Sequence, residues 1–150
     1  MSEPQRDYSP FGFLTYAESY GRSAFIVAEA IENGARMIWN LPIGTLALHC
    51  VELCLKGVLV KEGKTPEEVR QAYGHNIKRL FEATPIDWSD IDVEHIEFYN
   101  DAVMSQVLRY RRPDKPYYEM EPEHLLPFME KVFHRCLEHI SPGANRSLRP

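Results

Sequence analysis

Between residues 45 and 61, TLALHCVELCLKGVLVK, apolar side chains fall on nearly every face of a helix. The polar residues before Lys61 are Thr45, His49, Glu52 and Lys56. Their spacing gathers them into one narrow stripe and sets Glu52 one turn from Lys56. Leu46, Cys50, Leu53, Leu55, Val58 and Leu59 cover the other faces. A helix this apolar is the centre of a bundle or lies in a membrane. Polar groups interrupt the run every three or four residues, which argues against a membrane span. The pattern therefore predicts a central helix that the others wrap, with Leu53 fully buried.

The same periodicity predicts a helix over 11–32, with Phe13, Tyr16, Tyr20, Ala24, Val27 and Ile31 facing inward and Asn33-Gly34 as its stop. Met37, Ile38 and Trp39 are expected to pack over the bundle end, and Pro42 to open the central helix. Thr65-Pro66-Glu67-Glu68 has the form of a capping box with proline at the first helical position. Tyr73-Gly74 interrupts the helix it starts. A second piece runs over 75–83, stopped by Thr84-Pro85. Asp87 or Ser89 is the expected cap of a helix over 89–108, with Ile91, His95, Phe98, Ala102 and Met104 inward and Trp88 as a lid. Three prolines keep 111–122 from being one regular helix. A sustained stripe of Leu125, Leu126, Met129, Val132, Phe133, Cys136, Leu137 and Ile140 marks the last helix, over 123–140. No strand-like alternation and no repeat occurs. The reading is an all-α, up-and-down bundle of four to five helices over 11–140, with flexible tails at 1–10 and 141–150.

At 44% apolar and 26% charged residues, 150 residues make one ordinary globular domain with room for its own core. A net charge of −5 argues against a surface coated for non-specific DNA binding, and no specific DNA binding is expected. Cys50, Cys54 and Cys136 lie on apolar helical faces without a Cys-x-x-Cys pair, as buried free thiols of a cytoplasmic protein would. The opening MSEPQRDYSP does not read as a secretory signal.

The run Leu48-His49-Cys50-Val51-Glu52-Leu53-Cys54-Leu55-Lys56-Gly57, followed by Tyr73-Gly74-His75-Asn76-Ile77-Lys78-Arg79-Leu80, resembles the HEPN superfamily. In that family a Glu-x-x-x-Lys run within leucines precedes a Gly-His element. The resemblance covers roughly the first two-thirds of the chain. It implies an all-α bundle, a homodimer, and a place in RNA cleavage, RNA binding, toxin–antitoxin pairs or defence, often beside a nucleotidyltransferase-like partner. Nuclease members carry an Arg, four to six residues, then a His. Here Arg109, Arg111 and Arg112 have no His at that distance, and Arg135 and His139 stand one residue too close. The expectation is a non-catalytic RNA-associated or partner-binding domain. A divergent, metal-independent ribonuclease using Arg135 and His139 is the competing reading.

Three features carry candidate chemistry. His49, Glu52, Lys56 and His75 form either a polar line along a groove or a satisfied hydrogen-bond line, and buried ionic groups must be paired in both cases. For His75 the plainer role is to anchor the interrupted helix to the central one. Arg109-Tyr110-Arg111-Arg112-Pro113-Asp114-Lys115 is the one basic, aromatic-interleaved stretch. Such a stretch suits single-stranded RNA, with Arg109, Tyr110, Arg111, Arg112 and Lys115 as contacts. The plainer reading, and the preferred one, is a solvated connector whose arginines pair with the acidic surface. Asp92-x-x-His95 and Glu121-x-x-His124 echo the pairs of bundle di-metal sites, with Glu52 and Glu29 as further carboxylates, and give a third reading as a metalloenzyme. No metal or cofactor is expected.

Overall fold

The computed structural model describes residues 8–37, 39–116 and 118–150. Most of the expected N-terminal tail and the packing expected of Ile38 lie outside them. Among the described residues the fold is an all-α bundle of six helices without strands. These are α1 (Pro10–Glu32), α2 (Leu41–Lys61), α3 (Pro66–Tyr73), α4 (Ile77–Ala83), α5 (Val93–Met104) and α6 (Pro122–Ile140). The count exceeds the expected four to five because the interrupted segment forms two separate helices, α3 and α4. Ser9 caps α1 by accepting the Gly12 amide, and Pro10 takes the first helical position. At α3 the Thr65 hydroxyl accepts from the Glu68 amide and the Glu68 carboxylate from the Thr65 amide, completing the capping box.

The central helix is α2. It packs on α1 and α6 on one side and on α3 and α4 on the other. By length and composition it could cross a bilayer, but most of its surface is buried inside the bundle. The side left open runs along Leu46, His49, Leu53, Lys56 and Val60. Leu53, expected to be fully buried, is therefore only partly so, whereas Leu48 and Leu55 are enclosed. Hydrophobicity alone did not locate the one face of a nearly all-apolar helix that its neighbours leave uncovered.

Helix α1 departs most from its pattern. Its buried residues are Gly12, Leu14, Ala17, Gly21, Ala24 and Ala28, while Tyr16 and Tyr20 stand exposed at 57% and 36%. The helix is turned by roughly 75° from the expected stripe, at 100° per residue. Close packing explains the turn. A Cβ on Gly57 of α2 would sit 3.0 Å from the Phe13 Cβ and 3.3 Å from the Pro10 carbonyl oxygen. Small residues let the two helices approach, and the aromatic rings are displaced to the rim.

Helix α5 is shorter than expected and its buried face is offset. Asp92 is the cap, accepting the Glu94 amide, because Asp87 spends its carboxylate on the Ser89 amide in a local turn. Ile91, Ile96, Tyr99 and Ala102 are buried, while His95, Phe98 and Met104 are exposed. Trp88 does act as a lid: its ring stands edge-on to Phe81 and its Nε1 donates to Thr84 Oγ1 at 2.8 Å. In α6 every residue of the expected stripe is buried.

The segment 141–150, expected to be a flexible tail, lies along α1 and α6. Leu148 is fully buried in a notch over Gly21, where an added Cβ would meet its methyl groups at 2.8 and 2.9 Å. Arg149 pairs with Glu130, Arg146 with Glu18, and Arg22 Nε donates to the Ser147 carbonyl. One buried leucine and these polar contacts together hold the segment in place.

Candidate functional site

Glu52 is the node of the polar stripe. It is 5% exposed, and its Oε1 accepts from Lys56 Nζ at 2.7 Å and from His75 Nδ1 at 2.8 Å. Facing a carboxylate, that ring nitrogen carries the proton. His75 thus pins the link between α3 and α4 onto α2, while Asn76 caps α4 through the Arg79 amide. Its own ring remains mostly in solvent. His49, one turn before Glu52, stacks edge-on against Tyr20 with centroids 4.4 Å apart. Burial holds its imidazole below the ordinary value. Glu52 opposes that shift and the Arg109 guanidinium adds to it.

Two cavities meet at this place. The inner one, about 160 Å³, is walled by Leu48, Val103, Met104 and Leu108 and edged by Thr45, His49, Glu52, His75, Gln106 and Arg109. The outer one, about 230 Å³, lies under the proline-rich connector among Trp39, Leu108, Arg109, Tyr110, Arg112 and Lys115. Leu108 and Arg109 line both. The stripe and the basic connector, separate features of the sequence, are thus neighbours in space with Arg109 between them.

Backbone strain collects at the same place. Three described residues other than glycine have positive φ: Trp39 at 49°, Asn40 at 54° and Gln106 at 62°. Asparagine tolerates this region, whereas at Trp39 and Gln106 it costs roughly 1–2 kcal/mol each. Strain of this kind persists where surrounding structure enforces it and is concentrated at functional sites. Gln106 breaks the chain out of α5 and lines the inner cavity; Trp39 lines the outer one. The Trp39 carbonyl accepts the Met120 amide, tying the α1–α2 link to the far end of the connector.

The connector is anchored rather than loose. Tyr118 is buried and its hydroxyl donates to the Asp101 carboxylate, which with some burial pushes its pKa up to about 12. Arg112 pairs with Asp114 and reaches the Ser105 carbonyl. Arg109, Tyr110, Arg111 and Lys115 are exposed, and the Arg109 guanidinium makes no ion pair among the described residues. Tyr117 of this stretch lies outside the described residues.

Arg135 and His139 do not share a site. Arg135 reaches back to Asp90 with both guanidinium nitrogens, holding that carboxyl well below the usual range, and also bonds the Asp87 carbonyl. His139 pairs with Glu62 at the end of α2. The acid–x–x–His pairs are likewise engaged locally: Asp92 caps α5, and Glu121 pairs with His124. No three His, Cys, Asp or Glu side chains among the described residues converge as metal ligands do. The three cysteines are free and buried. Contact with Cys54 and burial push the Cys50 thiol well up, and burial followed by contact with Cys136 does the same to Cys54.

No family model, curated protein or solved structure matches the chain. Of the site residues, the sequence pointed to the stripe and the connector but missed Trp39, Val103, Met104 and Gln106. Trp39 and Gln106 are not residue types that favour a positive φ, and Val103 and Met104 sit on the regular helix α5, so no local signal marks these four.

Proposed function

We propose that this chain is a HEPN-like helical-bundle protein that associates with single-stranded RNA without cleaving it, working as a pair of identical copies in the toxin–antitoxin or defence manner. The observation that carries the reading is the junction of the two cavities. Arg109, which makes no ion pair among the described residues, sits there between a largely apolar pocket edged by Glu52 and a cationic surface bearing exposed rings. Guanidinium and ammonium groups suit phosphates, and the exposed Tyr110 ring suits a base. The engagement of Arg135 and His139 with separate acids supports a non-catalytic role.

The test is a salt titration of binding to a labelled single-stranded RNA of mixed sequence. The logarithm of affinity should fall with that of salt by about 0.7 for each phosphate neutralised. The double variant Arg109→Ala, Lys115→Ala should bind more weakly, with a slope flatter by about 1.4. These two residues are chosen over Arg112, whose contact with Ser105 holds the connector. Salt-insensitive binding, equal slopes or no binding at low salt would refute the reading.

Pairing of two copies has its own support. Tyr16 and Tyr20 of α1 lie beside the open side of α2, with Leu46 and Leu53, forming an apolar strip that no element among the described residues covers. A self-complementary strip of this kind suits a two-fold contact. Light scattering at micromolar concentration should give twice the 17.4 kDa chain mass. Tyr16→Glu with Leu46→Glu should return it to the single mass. A wild-type protein of single mass would end this part of the proposal.

A further inference from the structure

Leu148 is the one buried residue of the segment 141–150, and the wall it lies on has a gap. At Gly21 helix α1 carries no side chain. A Cβ there would stand 2.8 and 2.9 Å from the Leu148 methyl carbons and 3.1 Å from Cys50 Sγ. The leucine and the thiol therefore approach the same point from two elements. The glycine leaves a window in the seam between α1 and α2, and Leu148 plugs it. Cys50 contacts Cys54, which in turn contacts Cys136, and all three thiols are free and buried. Cys50 is the one that stands at the window.

The rest of the hold on the segment lies near the surface. Arg149 donates to the Glu130 carboxylate at 2.8 and 3.2 Å, Arg146 pairs with Glu18 at 3.6 Å, and Arg22 Nε donates to the Ser147 carbonyl at 3.1 Å. Arg146 and Arg149 also lie over the rings of Phe11 and Phe25. Ion pairs with an exposed member contribute little each, and the Arg149 side chain is 68% exposed. One leucine and a few such contacts make a weak hold beside that of the core. Segments held in this way open locally, without global unfolding.

We propose that the segment 141–150 is a releasable strap and that Cys50 is a modification site it guards. When Leu148 leaves its notch, a low-molecular-weight disulfide reaches Cys50 through the window at Gly21. The Cys50 thiol gives its proton to water, and its sulfur attacks one sulfur of the reagent. That S–S bond breaks, a new one joins Cys50 to half of the reagent, and the other half leaves as a thiolate. Cys50 is oxidised and the departing sulfur is reduced, so the reagent is the only oxidant required. The added group lies in the space that Leu148 fills. Adduct and seated strap exclude one another, and a thiol reductant reverses the change. The device operates whether or not the protein binds RNA.

The experiment mixes the full chain with dithiodipyridine, follows release of pyridinethione, and assigns the modified sulfur by peptide mass. The wild type should react first at Cys50, and Cys50→Ser should abolish that first phase. Leu148→Ala should raise the rate at Cys50 on the order of tenfold, because a truncated side chain holds the notch less well. Cys54 and Cys136 should stay near their wild-type rates. Glu18→Gln with Glu130→Gln keeps Leu148 and removes the carboxylates that pair with the strap. It should raise the Cys50 rate by about twofold or more. Circular dichroism and thermal melting confirm that each variant is folded. Trypsin supplies a second readout, since it needs a released backbone to cut after Arg146. Wild-type protein carrying the adduct at Cys50 should be cut there about tenfold faster than unmodified protein, and reductant should restore the slow rate. Cys50 rates unchanged in both variants overturn the strap. So does a rise shared by all three cysteines, which is global unfolding. An adduct that leaves cleavage after Arg146 unchanged overturns the exclusion of strap by adduct.

Discussion

Replacing Glu52 by Ala should cost about 3–5 kcal/mol of folding stability, because it leaves Lys56 charged, largely buried and unpaired. The Lys56 side chain is only 12% exposed, and its ammonium has the Glu52 carboxylate as its bonded partner among the described residues. For a domain of this size the loss corresponds to a melting temperature lowered by roughly 6–20 °C. His75 loses the same partner, but its ring, 61% exposed, can turn to water. The paired replacement Glu52→Leu with Lys56→Met should recover most of the loss, since apolar residues of similar volume often match or exceed a buried ion pair. Chemical denaturation of the three proteins measures both effects. A loss below about 1 kcal/mol for Glu52→Ala would mean that the stripe is solvated.

Leu55→Ala should cost about 2–5 kcal/mol, the lost burial plus the cavity left in a core that cannot fully close. Leu53→Ala, two residues earlier, should cost about 1 kcal/mol, because part of that side chain already meets solvent. The contrast tests which way α2 faces: equal losses at the two positions would mean that its open side is misplaced. The charge change is nil in both variants, so the comparison isolates burial.

The same contrast shows how far the fold is legible from the chain. In α6, long apolar side chains alternate with charged ones at helical spacing, and each residue of that stripe is buried. Hydrophobicity and burial coincide there because one face is wet. In α1 they part company. Gly12, Ala17, Gly21, Ala24 and Ala28 carry little hydrophobic signal of their own, yet they form the seam on which α2 lies. Their value is steric, and it depends on the partner helix. The large rings of Tyr16 and Tyr20 point away for the same reason.

The candidate site was half legible. His49, Glu52, Lys56 and His75 fell in one stripe because they share a helical face or bond to it, and short-range spacing reports that. Arg109 read as part of a basic connector, not as a neighbour of His49. Joining the two requires the chain to leave α5 at Gln106 with φ of 62° and to enter α2 through Trp39 and Asn40 at 49° and 54°. Asn40 is of a type that tolerates this region, but Trp39 and Gln106 are not, so two of the three turns leave no mark in composition.

The seat of Leu148 on Gly21 sets an order of events during synthesis. Helix α1 emerges from the ribosome early, but the residue that fills its notch is made more than a hundred positions later. At about 5–20 residues per second the notch stays empty for roughly 6–25 s. During that interval the nascent bundle leaves uncovered the notch at Gly21 and, beside it, the thiol of Cys50, 3.1 Å from where a Gly21 Cβ would be. The growing chain therefore passes through a vulnerable stage that closes when its last apolar side chain comes home, and chaperones that shield emerging helices have that much time to act.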